Sequence, residues 1–227
     1  MDINAMTKAL FPVVSVNTDG TIDPMEKPGT RYLIAHNGIW LETTRPWLRA
    51  VVPHLTESFP VTPFGEIATK ILETPPMNPE IMREFISSAR KAAPAETGCW
   101  VFWNAKTGNQ RMVEYEQICT PDRIDYRRPE PGENEHLVWD IHSHGDDHAF
   151  FSDIDDADDF GDVKIAVVIG NVRSGQISIE TRLVTREYTL TLMQGHLTEG
   201  VKYVANGTSF GFADGSPINN NDCRSGW

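Results

Sequence analysis

Two histidines flanking one serine, His142-Ser143-His144, are followed after a gap of seven residues by Ser152-Asp153-Ile154-Asp155. On a strand, residues i and i+2 project from the same face, so both imidazoles point one way. A carboxylate on the next segment can fold back towards them. Two neutral imidazole nitrogens and one carboxylate, with a fourth position left to water, are the ligand set of a catalytic zinc site. The pattern therefore predicts one Zn2+ per chain, held by His142, His144 and Asp155 in a hydrolytic centre.

Other residues in the same stretch compete for roles. His148, in the intervening loop, is an alternative ligand. Ser152 is a natural helix N-cap, with Asp155 at the third helical position. Its hydroxyl can serve as a cap alone, or also donate to an oxyanion. The neighbouring Asp153, Asp156, Asp158, Asp159 and Asp162 lack the Asp-x-Asp-x-Asp-Gly register and terminal Glu of a calcium loop. They read as a solvated helix face.

The elements that must position these groups are legible in part. On the strand Leu137–His144, Val138 and Asp140 share the histidine face, while Leu137, Trp139 and Ile141 face the other way into a core. Ser152 opens a short acidic helix. Val163 to Ile169, apolar apart from Lys164, reads as a central strand, and Gln176–Val184 as another after a turn at Asn171–Gly175. Upstream, Asn78 caps a helix with Pro79 at its first position. Ile81, Phe85, Ile86 and Ala89 form its apolar stripe, and Pro94 marks its exit. Cys99 to Trp103 reads as a buried strand, with Met112 to Ile118 as its partner. The mixture predicts an α+β or three-layer α-β-α domain.

The N-terminal third is punctuated by prolines and carries one hairpin signal, Asn37-Gly38 between the apolar runs Tyr32–His36 and Ile39–Leu41. Thr74-Pro75-Pro76-Met77 reads as a linker. The expected division is an extension over 1–77, a catalytic domain over 78–205 and a flexible Gly/Asn/Ser/Asp-rich tail over 206–227. The extension either shapes access to the site or contributes Tyr32, Ile34, Trp40 and Trp47 to the main core.

Composition narrows the partners. A formal net charge of −12 argues against nucleic acid and anionic membrane. Cys99, Cys119 and Cys223 are odd in number and lack metal-type spacing, which suits free thiols in a reducing compartment. No signal peptide or membrane-length apolar run is apparent. A cytoplasmic location is expected.

The residues His142-Ser143-His144, Ser152 and Asp155, at these spacings, resemble the signature of the JAMM (MPN-domain) zinc metallo-isopeptidases. That family also carries a glutamate after its first helix, and Pro94-Ala95-Glu96-Thr97-Gly98, before the apolar run Cys99–Phe102, is similar to that element. The resemblance implies Glu96 as general base, with Glu114, Glu116, Glu133 and Glu135 as rivals from the sequence alone. It implies a cytidine-deaminase-like, three-layer fold around a mixed sheet, with Ser152 assisting catalysis. Two positions depart from the pattern. Gly145 stands where the family commonly has proline, and Gly98 comes one residue early after Glu96.

The implied activity is cleavage of an amide or isopeptide bond after the C-terminus of a ubiquitin-like protein, in precursor processing or deconjugation. The implied partners are that ubiquitin-like protein or its conjugates, and an E1-like adenylating enzyme from the same gene cluster. Two other readings use the same residues: a metallopeptidase acting on small peptides or sulfur-carrier tails, and a non-catalytic scaffold that binds a ubiquitin-like protein.

Overall fold

A computed structural model describes residues 12–57, 60–115, 117–120, 123–126, 128–186 and 188–198. The expected tail, 206–227, lies outside the described residues, as do Glu116 and Cys223. The chain divides into two compact units, Met1–Pro75 and Pro76–Trp227.

The first unit is a five-stranded sheet in sequential order: β1 (Val13–Ser15), β2 (Gly29–Ala35), β3 (Gly38–Arg45), β4 (Leu48–Leu55) and β5 (Lys70–Glu73). β1 runs parallel to β2, and the other neighbours are antiparallel. Val16, Leu33, Ala35, Trp40, Val51 and Ile67 form this unit's own core, so Trp40 is buried locally. The hairpin is present, but its turn lies one residue earlier than expected. Ala35 pairs with Gly38, leaving His36 and Asn37 as the loop. Asn37 instead grips Ile67, donating to its carbonyl at 2.7 Å and accepting from its amide at 3.3 Å. The glycine meets a different need. At φ +135°, a Cβ on Gly38 would stand 2.5 Å from the Leu55 carbonyl.

The second unit combines two helices with a mixed six-stranded sheet of order β13-β12-β11-β10-β6-β7. Its strands are β6 (Thr97–Asn104), β7 (Gln110–Glu114), β10 (Glu135–Ser143), β11 (Val163–Gly170), β12 (Gln176–Thr185) and β13 (Tyr188–Thr198). A separate ribbon pairs β8 (Gln117–Thr120) with β9 (Arg123–Tyr126). The expected strand Met112–Ile118 is therefore two strands. β7 ends beside Tyr115, whose amide still bonds to the Gly98 carbonyl at 2.8 Å, and the next strand pairs elsewhere.

Helix α1 (Pro79–Ala92) begins at the Asn78 cap, whose side chain accepts from the Glu80 amide at 3.0 Å. Glu80 in the first turn and Arg90 and Lys91 in the last complement the helix dipole. Ile81, Met82, Phe85 and Ala89 are its buried residues, and the helix contacts β6. Met82 replaces the expected Ile86, which is only half-buried. Helix α2 (Asp153–Asp159) lies in the crossover between the parallel neighbours β10 and β11. Among the described residues, no helix is long and apolar enough to cross a membrane.

Candidate metal centre

The site forms at the C-terminal end of β10, where the crossover to β11 leaves the sheet. The ends of parallel strands are common places for such sites. Antiparallel register pairs Asp140 with Trp100 and His142 with Gly98, and parallel register pairs Asp140 with Ala166 and His142 with Val168. Cross-strand partners share a face, so the histidine face also carries Gly98, Val168 and, by alternation, Lys164. Ala166 pairs onward with Arg182, which joins the same face. Trp139 and Ile141, on the opposite face, are buried.

α2 brings the carboxylate. Ser152 caps it in a full capping box with Asp155 at the third position. The Ser152 hydroxyl accepts from the Asp155 amide at 3.3 Å and donates to Asp155 Oδ2 at 2.7 Å, where the Ser152 amide also donates at 2.7 Å. Asp155 Oδ2 is thereby fixed, and Oδ1 is turned to His142 Nε2 at 3.1 Å. His142 Nε2 and His144 Nε2 stand 3.3 Å apart.

The three donors fit a zinc ion. Tetrahedral ligands about 2.0–2.1 Å from one centre stand roughly 3.4 Å from each other. Two of the spacings, 3.3 and 3.1 Å, lie close to that value, and the three ligand atoms all fall within 4.8 Å of one another. Burial opposes ionisation of Asp155. The hydrogen bond and charge of His142, with the two bonds from Ser152, outweigh it and hold the carboxyl well below the usual carboxylate range. The group is therefore ready as an anionic ligand at neutral pH. His148 is not part of this cluster. It is exposed and stacks on His196 at 6.1 Å.

Glu96 is the residue directly before β6, and it is exposed. Thr97 pairs with Ser143, the last residue of β10, so Glu96 leads into β6 at the end of the sheet where the two histidines stand. The loop after His144 closes against the same segment. Gly145 has φ +56°, and a Cβ there would stand 2.5 Å from the Pro94 carbonyl. Proline does not fit this position, because its ring fixes φ near −65°. Gly145→Pro is expected to lower the thermal midpoint and the metal content together, with Gly145→Ala costing about 1–3 kcal/mol. Wild-type unfolding and metal content in Gly145→Pro would contradict this geometry.

The rivals to Glu96 among the described residues, Glu114, Glu133 and Glu135, are engaged elsewhere. Glu114 pairs with Cys99, which places it on the face opposite the histidines, and accepts from Ser88 at 2.8 Å. Glu133 lies 3.6 Å from Lys106. Glu135 opens β10 at the end remote from His142 and binds Arg111 at 2.6 Å. The Arg111 hydrogen bond, with a further bond from the Gly132 amide, lowers its carboxyl to about 2.

The acidic run on α2 requires a correction. Asp159 is buried, and with Asp156 it anchors the helix to the sheet. Arg182 donates to Asp159 Oδ2 from Nε at 2.9 Å and Nη2 at 2.6 Å, and to Asp156 from Nη1 at 2.5 Å. Lys164 Nζ stands 2.7 Å from both Asp159 Oδ1 and Asp140 Oδ2. Asp162 binds Arg128 at 2.6 Å. Lys164, Arg182, Asp159 and Asp140 are only 2%, 6%, 6% and 8% exposed. Sequence reasoning passed over Lys164 and Arg182. The available signal was a lone lysine in a Val/Ile-rich central strand, because a buried charge needs a partner. Arg182 also lies 3.8 Å over the Phe151 ring, and Phe151 stands edge-on to His142.

Residues 78–185 match the family model described as prokaryotic homologs of the JAB domain. The matched stretch runs from the α1 cap, Asn78, to the end of β12, and it contains Glu96, both histidines, Ser152 and Asp155. The family is related to the JAMM metallopeptidases. Residues 1–73, ahead of that stretch, match a model described as a domain of unknown function, DUF2016. The solution structure of protein DSY2949 from Desulfitobacterium hafniense covers 50% of this chain and 86% of its own, at 14% identity and a TM-score of 0.38. No curated protein matches the chain.

Proposed function

We propose that this chain is a zinc-dependent peptidase that hydrolyses the amide or isopeptide bond after the C-terminus of a ubiquitin-like protein. The observation that carries the reading is the convergence of His142 Nε2, His144 Nε2 and Asp155 Oδ1 at zinc-ligand spacing within a JAB-type domain. The scaffold alternative suits relatives that have lost ligands, and this chain keeps all three.

Zinc, when bound, supplies a Lewis acid that acidifies a water and polarises the substrate carbonyl. Glu96 takes the proton from that water and hands it to the leaving amine. Ser152 donates to the developing oxyanion. Its single hydroxyl proton is directed to Asp155 in the resting arrangement, so this step requires the hydroxyl to turn.

The finer fold reading accompanies this proposal: a three-layer, cytidine-deaminase-like domain, supported by α1 against β6 and by α2 tied to the histidine face. The arrangement of an extension before the metal domain further resembles protein A of the bacterial PRTRC gene cluster. Such a context implies an E1-like enzyme and a ubiquitin-like protein as partners. The buried free thiol Cys99 is consistent with action in the cytoplasm.

The test is cleavage of fusions carrying a reporter after a ubiquitin-like C-terminus, run beside short peptides of the same tail sequence. Preference for the folded fusion, abolished by a chelator and restored by zinc, is expected. Equal cleavage of both substrates would favour a small-peptide or sulfur-carrier metallopeptidase, and binding without cleavage would favour the scaffold.

A further inference from the structure

We infer that Lys164 is a positioning residue for the metal centre, setting the distance between Asp155 on α2 and the histidines on β10. The inference rests on the zinc reading of His142, His144 and Asp155.

The geometry is that of two rungs between one strand and one helix. On β10, Asp140 and His142 are two residues apart and share a face. On α2, Asp155 and Asp159 are four residues apart and share a face. The upper rung joins His142 directly to Asp155, at 3.1 Å. The lower rung joins Asp140 to Asp159 through the Lys164 ammonium, at 2.7 Å on each side. Two carboxylates facing each other without that cation would repel, so the lower rung holds only while Lys164 is present. α2 is a short helix of seven residues with no long apolar face. Its placement therefore depends on polar anchors to the sheet: Asp156 and Asp159 on Arg182, and Asp159 on Lys164.

Both carboxylates of the lower rung are fully engaged. Asp140 also accepts from the Tyr115 hydroxyl, and Asp159 from Arg182. The Tyr115 ring in turn covers Gly98, two residues from Glu96. Neither Asp140 nor Asp159 is left over as a fourth ligand. The lysine thus acts through its partners on ligand spacing and touches no reacting atom.

The experiment is zinc competition between the full chain and a chromophoric chelator, with the visible spectrum of the cobalt-substituted protein as a second readout. All measurements are made where each variant is folded by circular dichroism. Lys164→Met keeps the side chain's length and removes its charge. Its zinc dissociation constant is expected to rise roughly 10–100-fold, the usual effect of losing a group that orients ligands, and the tetrahedral cobalt signature should weaken. Lys106→Met, which removes an exposed lysine 3.6 Å from Glu133, should match wild type.

If Lys164→Met does not fold, Asp159→Asn carries the same expectation, because it weakens the lower rung while keeping the side chain's shape. A folded variant with wild-type affinity and spectrum would overturn the inference. So would failure of both variants to fold, since the contact would then be a determinant of folding alone. Failure of the wild-type chain to compete for zinc would instead overturn the reading of the site itself.

Discussion

Glu96→Gln is expected to lower turnover at least roughly a hundredfold while leaving zinc content and thermal unfolding at wild-type values. The argument is positional. Thr97 pairs with Ser143, the residue between the two histidines, and Glu96 directly precedes Thr97 at the same end of the sheet. Gly145, directly after His144, packs against the Pro94 carbonyl, so the segment bearing Glu96 closes on the histidine loop. Glutamine keeps size and polarity but cannot accept a proton at neutral pH. The loss should therefore fall on kcat, with KM little changed, because the missing step belongs to the transition state. Turnover on a ubiquitin-like fusion, measured beside elemental zinc, checks both parts. Near-normal turnover in a zinc-loaded Glu96→Gln protein would assign the base to another group.

Arg182→Met should be the most damaging single change to stability. The guanidinium is almost fully buried and makes three hydrogen bonds to Asp156 and Asp159 while lying over Phe151. Methionine retains much of the apolar packing but leaves the buried Asp159 with Lys164 as its remaining cationic partner. Removing one member of a buried ion pair costs about 3–5 kcal/mol. For a unit of this size that corresponds to a fall of roughly 6–20 °C in the thermal midpoint. Calorimetry of the purified variant checks it. A shift of under about 2 °C, no more than an exposed ion pair would give, would show that α2 does not depend on this anchor.

The parts of the molecule governed by local rules were legible in the sequence. The i, i+2 histidines required only strand alternation, and the Asn78 and Ser152 caps required only the hydrogen-bonding capacity of their side chains. Non-local pairing was harder to read. β13 was not anticipated because its apolar alternation, Leu190 and Leu192, breaks at Met193, opposite a register shift between Thr181 and Arg182 in β12. The turn at His36-Asn37 is set by a contact with Ile67, thirty residues away, which no dipeptide signal contains.

The acidic run was misread for a similar reason. Charges on a short helix ordinarily face water, and Asp156 and Asp159 escape that rule through basic residues contributed by β11 and β12. Gly145 is instructive in the other direction. Proline would be the expected residue there from the resemblance, and the left-handed backbone of Gly145 against Pro94 is the physical reason for glycine.

The central claim is that one zinc ion is held by His142, His144 and Asp155. The most direct measurement is elemental zinc per chain in the wild-type protein and in His142→Ala/His144→Ala, both purified without chelator and both folded by circular dichroism. About one zinc per chain in the wild type and almost none in the double variant is the predicted result, since a catalytic site loses its ion with two of its three protein ligands. Equal zinc in the two proteins would contradict it.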